Sequence, residues 1–163
     1  MNPSINRVLF VDDDAAMRSA NAQTLELAGF EPVLAASATE AMTELENGFD
    51  GVVVSDIRMP GMDGLQLFEA IRAIDPDLPV ILITGHGDVD MAVSALKRGV
   101  YDFIPKPFPR DRLLASIARA VEKRSLVMEN RRLRAMAAEV DDDLPLIGQT
   151  PQMRSLRRTL RQI

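Results

Sequence analysis

"GVVVSDIRMPGMDGLQLFEAIRAI", residues 51–74, contains the transition that decides the fold. Val52, Val53 and Val54 form a run with no polar alternation, so the strand they make is covered on both faces. That is the signature of a central strand in a parallel sheet with helices above and below it. Asp56 follows the run directly, and then comes a turn rich in glycine and proline. From Gly64 to Ile74 the apolar residues return at helical spacing, until "DPD" stops the pattern.

The same strand–turn–helix unit recurs on either side. "RVLFV" (7–11) is a short β-rich run, and "AAMRSANAQTLELAG" after it has helical periodicity that Gly29 ends. "FEPVLA" (30–35) is a weaker strand in which Pro32 suits a sheet edge. "SATEAMTELENG" opens on a Ser/Thr cap followed by Glu40 and closes at Gly48. "PVILIT" (79–84) and "DVDMAVSALKRG" (88–99) make a fourth pair. "YDFI" (101–104) opens a fifth, whose helix runs from Arg110 to about Val140. Helix-length segments separate the strands, where hairpins would need only two-residue turns. The pattern predicts a doubly wound α/β domain with a five-stranded parallel sheet over residues 1–122.

Composition bounds the function. Hydrophobic residues are 47% of the chain, enough for a core. No apolar run approaches the roughly eighteen residues of a membrane span. "MNPSINR" lacks the apolar segment of a signal peptide. With no cysteine, disulfides and thiolate zinc sites are excluded. A cytoplasmic protein without membrane contact is expected. The net charge of -5 argues against a general nucleic-acid-binding surface. Cations do gather between Lys123 and Arg134 and in the final "MRSLRRTLRQI", and both stretches read as solvated helix faces.

In doubly wound sheets ligands sit outside the carboxyl ends of the strands. That edge would carry Asp12, Asp13, Asp56, Thr84 and Lys106. Converging carboxylates repel one another unless a cation balances them, and a hard, oxygen-only set suits Mg2+. One carboxylate could then act as a nucleophile on a phosphoryl group, with the cation and a lysine holding the developing charge. The Thr84 hydroxyl could donate to the same group. Asp14 reads equally as the N-cap of the following helix. Taken singly, Thr84 and Lys106 are ordinary strand-end and loop residues, so the argument rests on their joint placement. The only histidine, His86, is given no catalytic role.

"VDDD", "SDIRMPGMDG", "ITGHGD" and "FIPKPF", in that order, resemble the receiver domain of bacterial two-component response regulators. The resemblance implies a flavodoxin-like sheet of strand order 2-1-3-4-5. It implies that Asp56 is the phosphoacceptor. It also implies that Asp12, Asp13, Asp56 and the backbone carbonyl of Arg58 hold Mg2+, with Asp13 as the direct ligand of the acidic pair. Lys106, joined to Pro107 by a cis bond, would pair with the phosphoryl group, and Thr84 would move toward it. Phe103 falls at the aromatic switch position. The implied donor is a phosphohistidine of a sensor histidine kinase. The implied response lies in the surface of the fourth helix, fifth strand and fifth helix.

Beyond the domain, Leu126, Asn130, Leu133, Ala137 and Val140 fall at 4-3-4-3 spacing, a heptad a/d register with Asn130 at an a position. This predicts a coiled-coil linker helix over 123–140 that makes a homodimer. The surface named above is a second candidate interface. The alternative is an amphipathic helix packed on its own domain. "DDDLP" (141–145) reads as a helix-breaking linker, and "LIGQTPQMRSLRRTLRQI" as a new helix capped near Thr150 and Pro151. Residues 141–163 resemble the opening of the AAA+ ATPase domain of activators that work with sigma-54 RNA polymerase at DNA. Through "LVMENRRLR" and "LPLIGQTP" the likeness extends to regulators of C4-dicarboxylate transport. No G-x-x-x-x-G-K-[ST] phosphate loop and no helix-turn-helix is present, so no enzyme is expected beyond the receiver's own phosphoryl chemistry. The chain reads as an N-terminal piece of such a regulator. A metal-dependent phosphohydrolase is a competing reading, disfavoured because Arg58 stands where a second acid would be needed. A stand-alone phosphorelay module is another, disfavoured by the heptads and "LIGQTP".

Overall fold

A computed structural model describes residues 6–46, 48–85 and 87–143, the last five of them (139–143) by backbone alone. Strands and helices alternate: β1 (Arg7–Val11), α1 (Ala15–Leu27), β2 (Glu31–Ala35), α2 (Ala38–Leu45), β3 (Val52–Asp56), α3 (Gly64–Ile74), β4 (Val80–Thr84), α4 (Val89–Arg98), β5 (Asp102–Pro105) and α5 (Arg110–Asp143). The strands form one sheet of order β2-β1-β3-β4-β5, and every pairing is parallel. This is the flavodoxin-like receiver fold expected from the motifs.

Successive side chains of a strand point to opposite faces, so a strand that is apolar throughout feeds two cores. Leu9, Val11, Val53 and Leu82 pack with Ala41, Leu45, Leu67, Ile71 and Ala95 of α2, α3 and α4. Val8, Phe10, Val54, Ile81 and Ile83 pack on the other face with Leu25 of α1 and with Leu113, Ile117 and Ala120 of α5. β3 and β4 are buried along their whole length, whereas β2 at the edge is only partly so.

Side-chain caps fix where three helices begin. Asp14 accepts from the amides of Ala16 and Met17, and Ser37 accepts from Glu40. Asp63 and Gln66 form a reciprocal capping box at the start of α3. Gly64, the first residue of α3, is pressed against the end of β3: a Cβ there would overlap the backbone carbonyl oxygen of Asp56. The close approach carries the chain from strand to helix directly beneath the candidate site.

Three expectations need correction. β3 and β5 each extend one residue further than read, so Asp56 is the last residue of its strand and not the first after it. α5 continues through Asp141–Asp143, where a break was expected. Aspartate is a weak helix former but not a breaker, so three in succession do not end the helix. Arg124, read as part of a solvated face, has a side chain only 1% exposed. It continues the buried stripe of Leu113, Ile117 and Ala120. Its Nη2 donates to the Phe49 carbonyl at 2.6 Å and to Asp75 Oδ2 at 2.8 Å.

The chain divides into two compact units, Met1–Ser125 and Leu126–Ile163. In the second, the helix is described to Asp143, with Leu126, Asn130 and Leu133 exposed and Ala137 half-buried. The side chain of Val140, the candidate helix near Thr150 and Pro151, and the rest of 144–163 lie outside the described residues. Among the described residues, no helix is long and apolar enough to cross a membrane.

Candidate functional site

The strand order reverses at β1, so the carboxyl ends of β1 and β3 flank the point where helices diverge to opposite faces. Asp12 leaves β1 there, held by its amide to the Ala35 carbonyl at 3.1 Å. Arg18 donates from Nη1 to the Asp12 carbonyl at 2.7 Å. The three consecutive aspartates divide. Asp12 is buried, Asp13 is exposed, and Asp14 caps α1.

Asp12 Oδ1 accepts from the Asp14 amide at 2.9 Å, while Asp12 Oδ2 is buried without a partner among the described residues. Asp56 Oδ2 accepts from Lys106 Nζ at 3.1 Å, and Asp56 Oδ1 accepts a long bond of 3.4 Å from the Arg58 amide. One carboxylate oxygen from each of Asp12, Asp13 and Asp56 lies within 4.8 Å of the others. Burial pushes the Asp12 carboxyl above its ordinary range, and the charges of Asp56 and Asp13 add to this. The Asp14 amide and Lys106 oppose it. Three clustered carboxylates, one of them with a buried and unpartnered oxygen, fit a hard divalent cation such as Mg2+.

Thr84 ends β4 fully buried, and its Oγ1 has no partner among the described residues. Its carbonyl accepts from the Lys106 amide at 2.7 Å, which couples the end of β4 to the loop that presents the lysine. The Lys106–Pro107 bond is cis. Phe103 is partly buried against the core beneath α2, α3 and α4. His86 lies outside the described residues.

The sequence reading used Arg58 for its carbonyl, and for not being the second acid of a phosphohydrolase, and missed the partner of its side chain. Arg58 Nε donates to both oxygens of Asp88, at 3.0 and 2.9 Å, and Nη2 lies 2.8 Å from Asp88 Oδ1. The Asp88 side chain is 1% exposed, that of Arg58 73%. The hydrogen bond and charge of Asp88 raise the Arg58 pKa above its ordinary value. No local pattern joins residues thirty positions apart, so only the fold reveals this pair. For Arg124 a signal existed, since positions 113, 117, 120 and 124 share one helical stripe.

Residues 8–118 match the response regulator receiver domain family. The C4-dicarboxylate transport transcriptional regulatory protein DctD of Rhizobium meliloti (strain 1021) is 61% identical over 96% of this chain and 34% of its own length. DctD of Pseudomonas aeruginosa is 51% identical over 93% of this chain and 33% of its own. The chain thus spans about a third of the length of these curated relatives. Among solved structures, a response regulator receiver domain protein from Clostridium thermocellum superposes with a TM-score of 0.71 at 33% identity. That match covers 76% of this chain and 99% of that one.

Proposed function

The chain belongs to the response regulator receiver domain family, and from that premise we propose that it accepts a phosphoryl group on Asp56 from a phosphohistidine of a sensor histidine kinase. The observation that carries the reading is the meeting of Asp12, Asp13 and Asp56 with the Lys106 ammonium 3.1 Å from Asp56 Oδ2. An oxygen of Asp56 attacks phosphorus, the P–N bond to the donor imidazole breaks, and its electron pair stays on the ring nitrogen. The product is an acyl phosphate, which water later cleaves to restore the carboxylate. Mg2+ would be held by Asp12, Asp13, Asp56 and the Arg58 carbonyl, and would neutralise charge that builds on the phosphoryl oxygens.

The chain's own groups do the rest. Lys106 holds the Asp56 carboxylate in place before transfer and pairs with phosphoryl oxygens after it. Thr84 carries a buried hydroxyl with no competing partner among the described residues, so a new acceptor beside it relieves an unsatisfied donor. Phe103 follows the space that Thr84 vacates. The signal passes through the surface of α4, β5 and α5.

Residues 1–122 act as the receiver, 123–140 as a dimer-forming coiled coil seamed by Leu126, Asn130, Leu133, Ala137 and Val140, and 141–163 as the lead into an AAA+ ATPase domain of the sigma-54 activator type. The names of the DctD relatives support a role in regulating C4-dicarboxylate transport genes, in a cytoplasmic protein that meets RNA polymerase and DNA through its remaining parts. Incubation with acetyl phosphate and Mg2+, followed by intact-mass measurement, should show one phosphoryl adduct that Asp56→Asn removes. Turnover of small phosphate esters with no adduct would instead support the phosphohydrolase.

A further inference from the structure

α1, α2 and α3 each begin with a residue whose side chain caps the first amides. The N-cap of α4 is Asp88, a residue type well suited to the same task, yet no side-chain cap bond is formed. The carboxylate is committed elsewhere. Both of its oxygens face Arg58, which leaves the opening amides of α4 without the cap that their own N-cap residue could supply. Asp88 therefore has two uses, and its short side chain serves one at a time.

We propose that Asp88 exchanges partners, paired with Arg58 while Asp56 is unmodified and capping α4 once Asp56 carries a phosphoryl group. This rests on the receiver reading and adds a positioning role for the Arg58–Asp88 pair. Arg58 stands two residues after Asp56 and its amide already reaches Asp56 Oδ1. A phosphoryl dianion there attracts the guanidinium and repels the carboxylate, so both charges of the pair are driven apart. The Arg58 side chain is 73% exposed, so apart from Asp88 little packing opposes its turning toward a new anion. Asp88 now has φ -104° and ψ 6°, away from the extended conformation of the three capped N-termini. Gly87 precedes it at φ +87° with no atom within 4 Å of where a Cβ would stand, and with no side chain of its own it tolerates a wide range of backbone angles. A cavity of about 440 Å³, lined by Arg58, Pro60, Asp63, Asp88 and Met91, gives the first turn of α4 room to shift.

The test is amide hydrogen exchange over residues 89–92 in the whole chain, with and without acetyl phosphate and Mg2+, alongside intact mass. In the wild type, phosphorylation should slow these amides roughly five-fold, the size of one side-chain cap. Asp88→Asn keeps capping ability and loses the ion pair, so its amides should be slow in both states. Arg58→Met frees Asp88 and should also be slow in both. Asp88→Ala should be fast in both. Wild-type exchange in unmodified Asp88→Asn or Arg58→Met, or full slowing of Asp88→Ala by phosphorylation, overturns the partner exchange. An adduct at Asp56 with unchanged exchange in the wild type defeats this proposal alone. Absence of any adduct defeats the receiver reading and this proposal with it.

Discussion

Asp12 is buried with one oxygen unpartnered among the described residues, and the carboxylates of Asp13 and Asp56 lie close enough to repel it. Removing one charge should relieve the other two. Asp12→Asn is therefore expected to stabilise the metal-free protein by about 1 kcal/mol, a few degrees in Tm. The same variant should lose the stabilisation that Mg2+ gives the wild type, and thermal denaturation with and without the ion checks both. Thr84 offers a second case. A fully buried hydroxyl with no partner among the described residues costs about 1–3 kcal/mol, so Thr84→Val should leave stability unchanged or raise it, by urea unfolding. A marked loss would mean the hydroxyl has a partner in solution. That Asp12, Asp56 and Lys106 meet, with Thr84 ending the adjacent strand β4, was legible because each ends, or directly follows, a strand of one parallel sheet. The division of labour among Asp12, Asp13 and Asp14 was only half legible, since an aspartate after a strand suits a cap and an open cluster equally. The Arg58–Asp88 pair was not legible at all, because nothing in either segment refers to the other.

Helix ends were easier to read than helix faces. Ser37 with Glu40, and the stop at Asp75 before Pro76, announce themselves in a few adjacent residues. Arg124 shows the opposite case. Its charge argued for solvent, while its place on the stripe of Leu113, Ile117 and Ala120 argued for burial, and the stripe won because Asp75 and the Phe49 carbonyl receive the guanidinium. Breaking a buried pair by removing one member costs about 3–5 kcal/mol, so Arg124→Met should lower unfolding stability by an amount in that range. Urea titration would refute this if the loss stayed below about 1 kcal/mol. Among the described residues Nη2 has partners and the buried Nε and Nη1 have none, so the lower end of the range is expected.

For the whole molecule, the order β2-β1-β3-β4-β5 followed from five strand–helix units once the receiver motifs were seen in sequence. The end of α5 was not readable, because three aspartates neither favour nor forbid another helical turn. The division at Ser125 and Leu126 suggests a clean experiment. A chain ending at Ser125 should fold, take the phosphoryl group and remain monomeric by light scattering, while the full chain should be dimeric. A dimer that survives the truncation would move the interface to α4, β5 and α5. The sheet itself has one further consequence. Both of its edge strands contain a proline, Pro32 in β2 and Pro105 in β5, and β5 is only four residues long. Proline offers no N–H to an incoming strand, so neither rim is a good template for sheet extension. A crowded solution of this domain is thus guarded against strand-to-strand aggregation at both margins, and recognition is left to helices and loops.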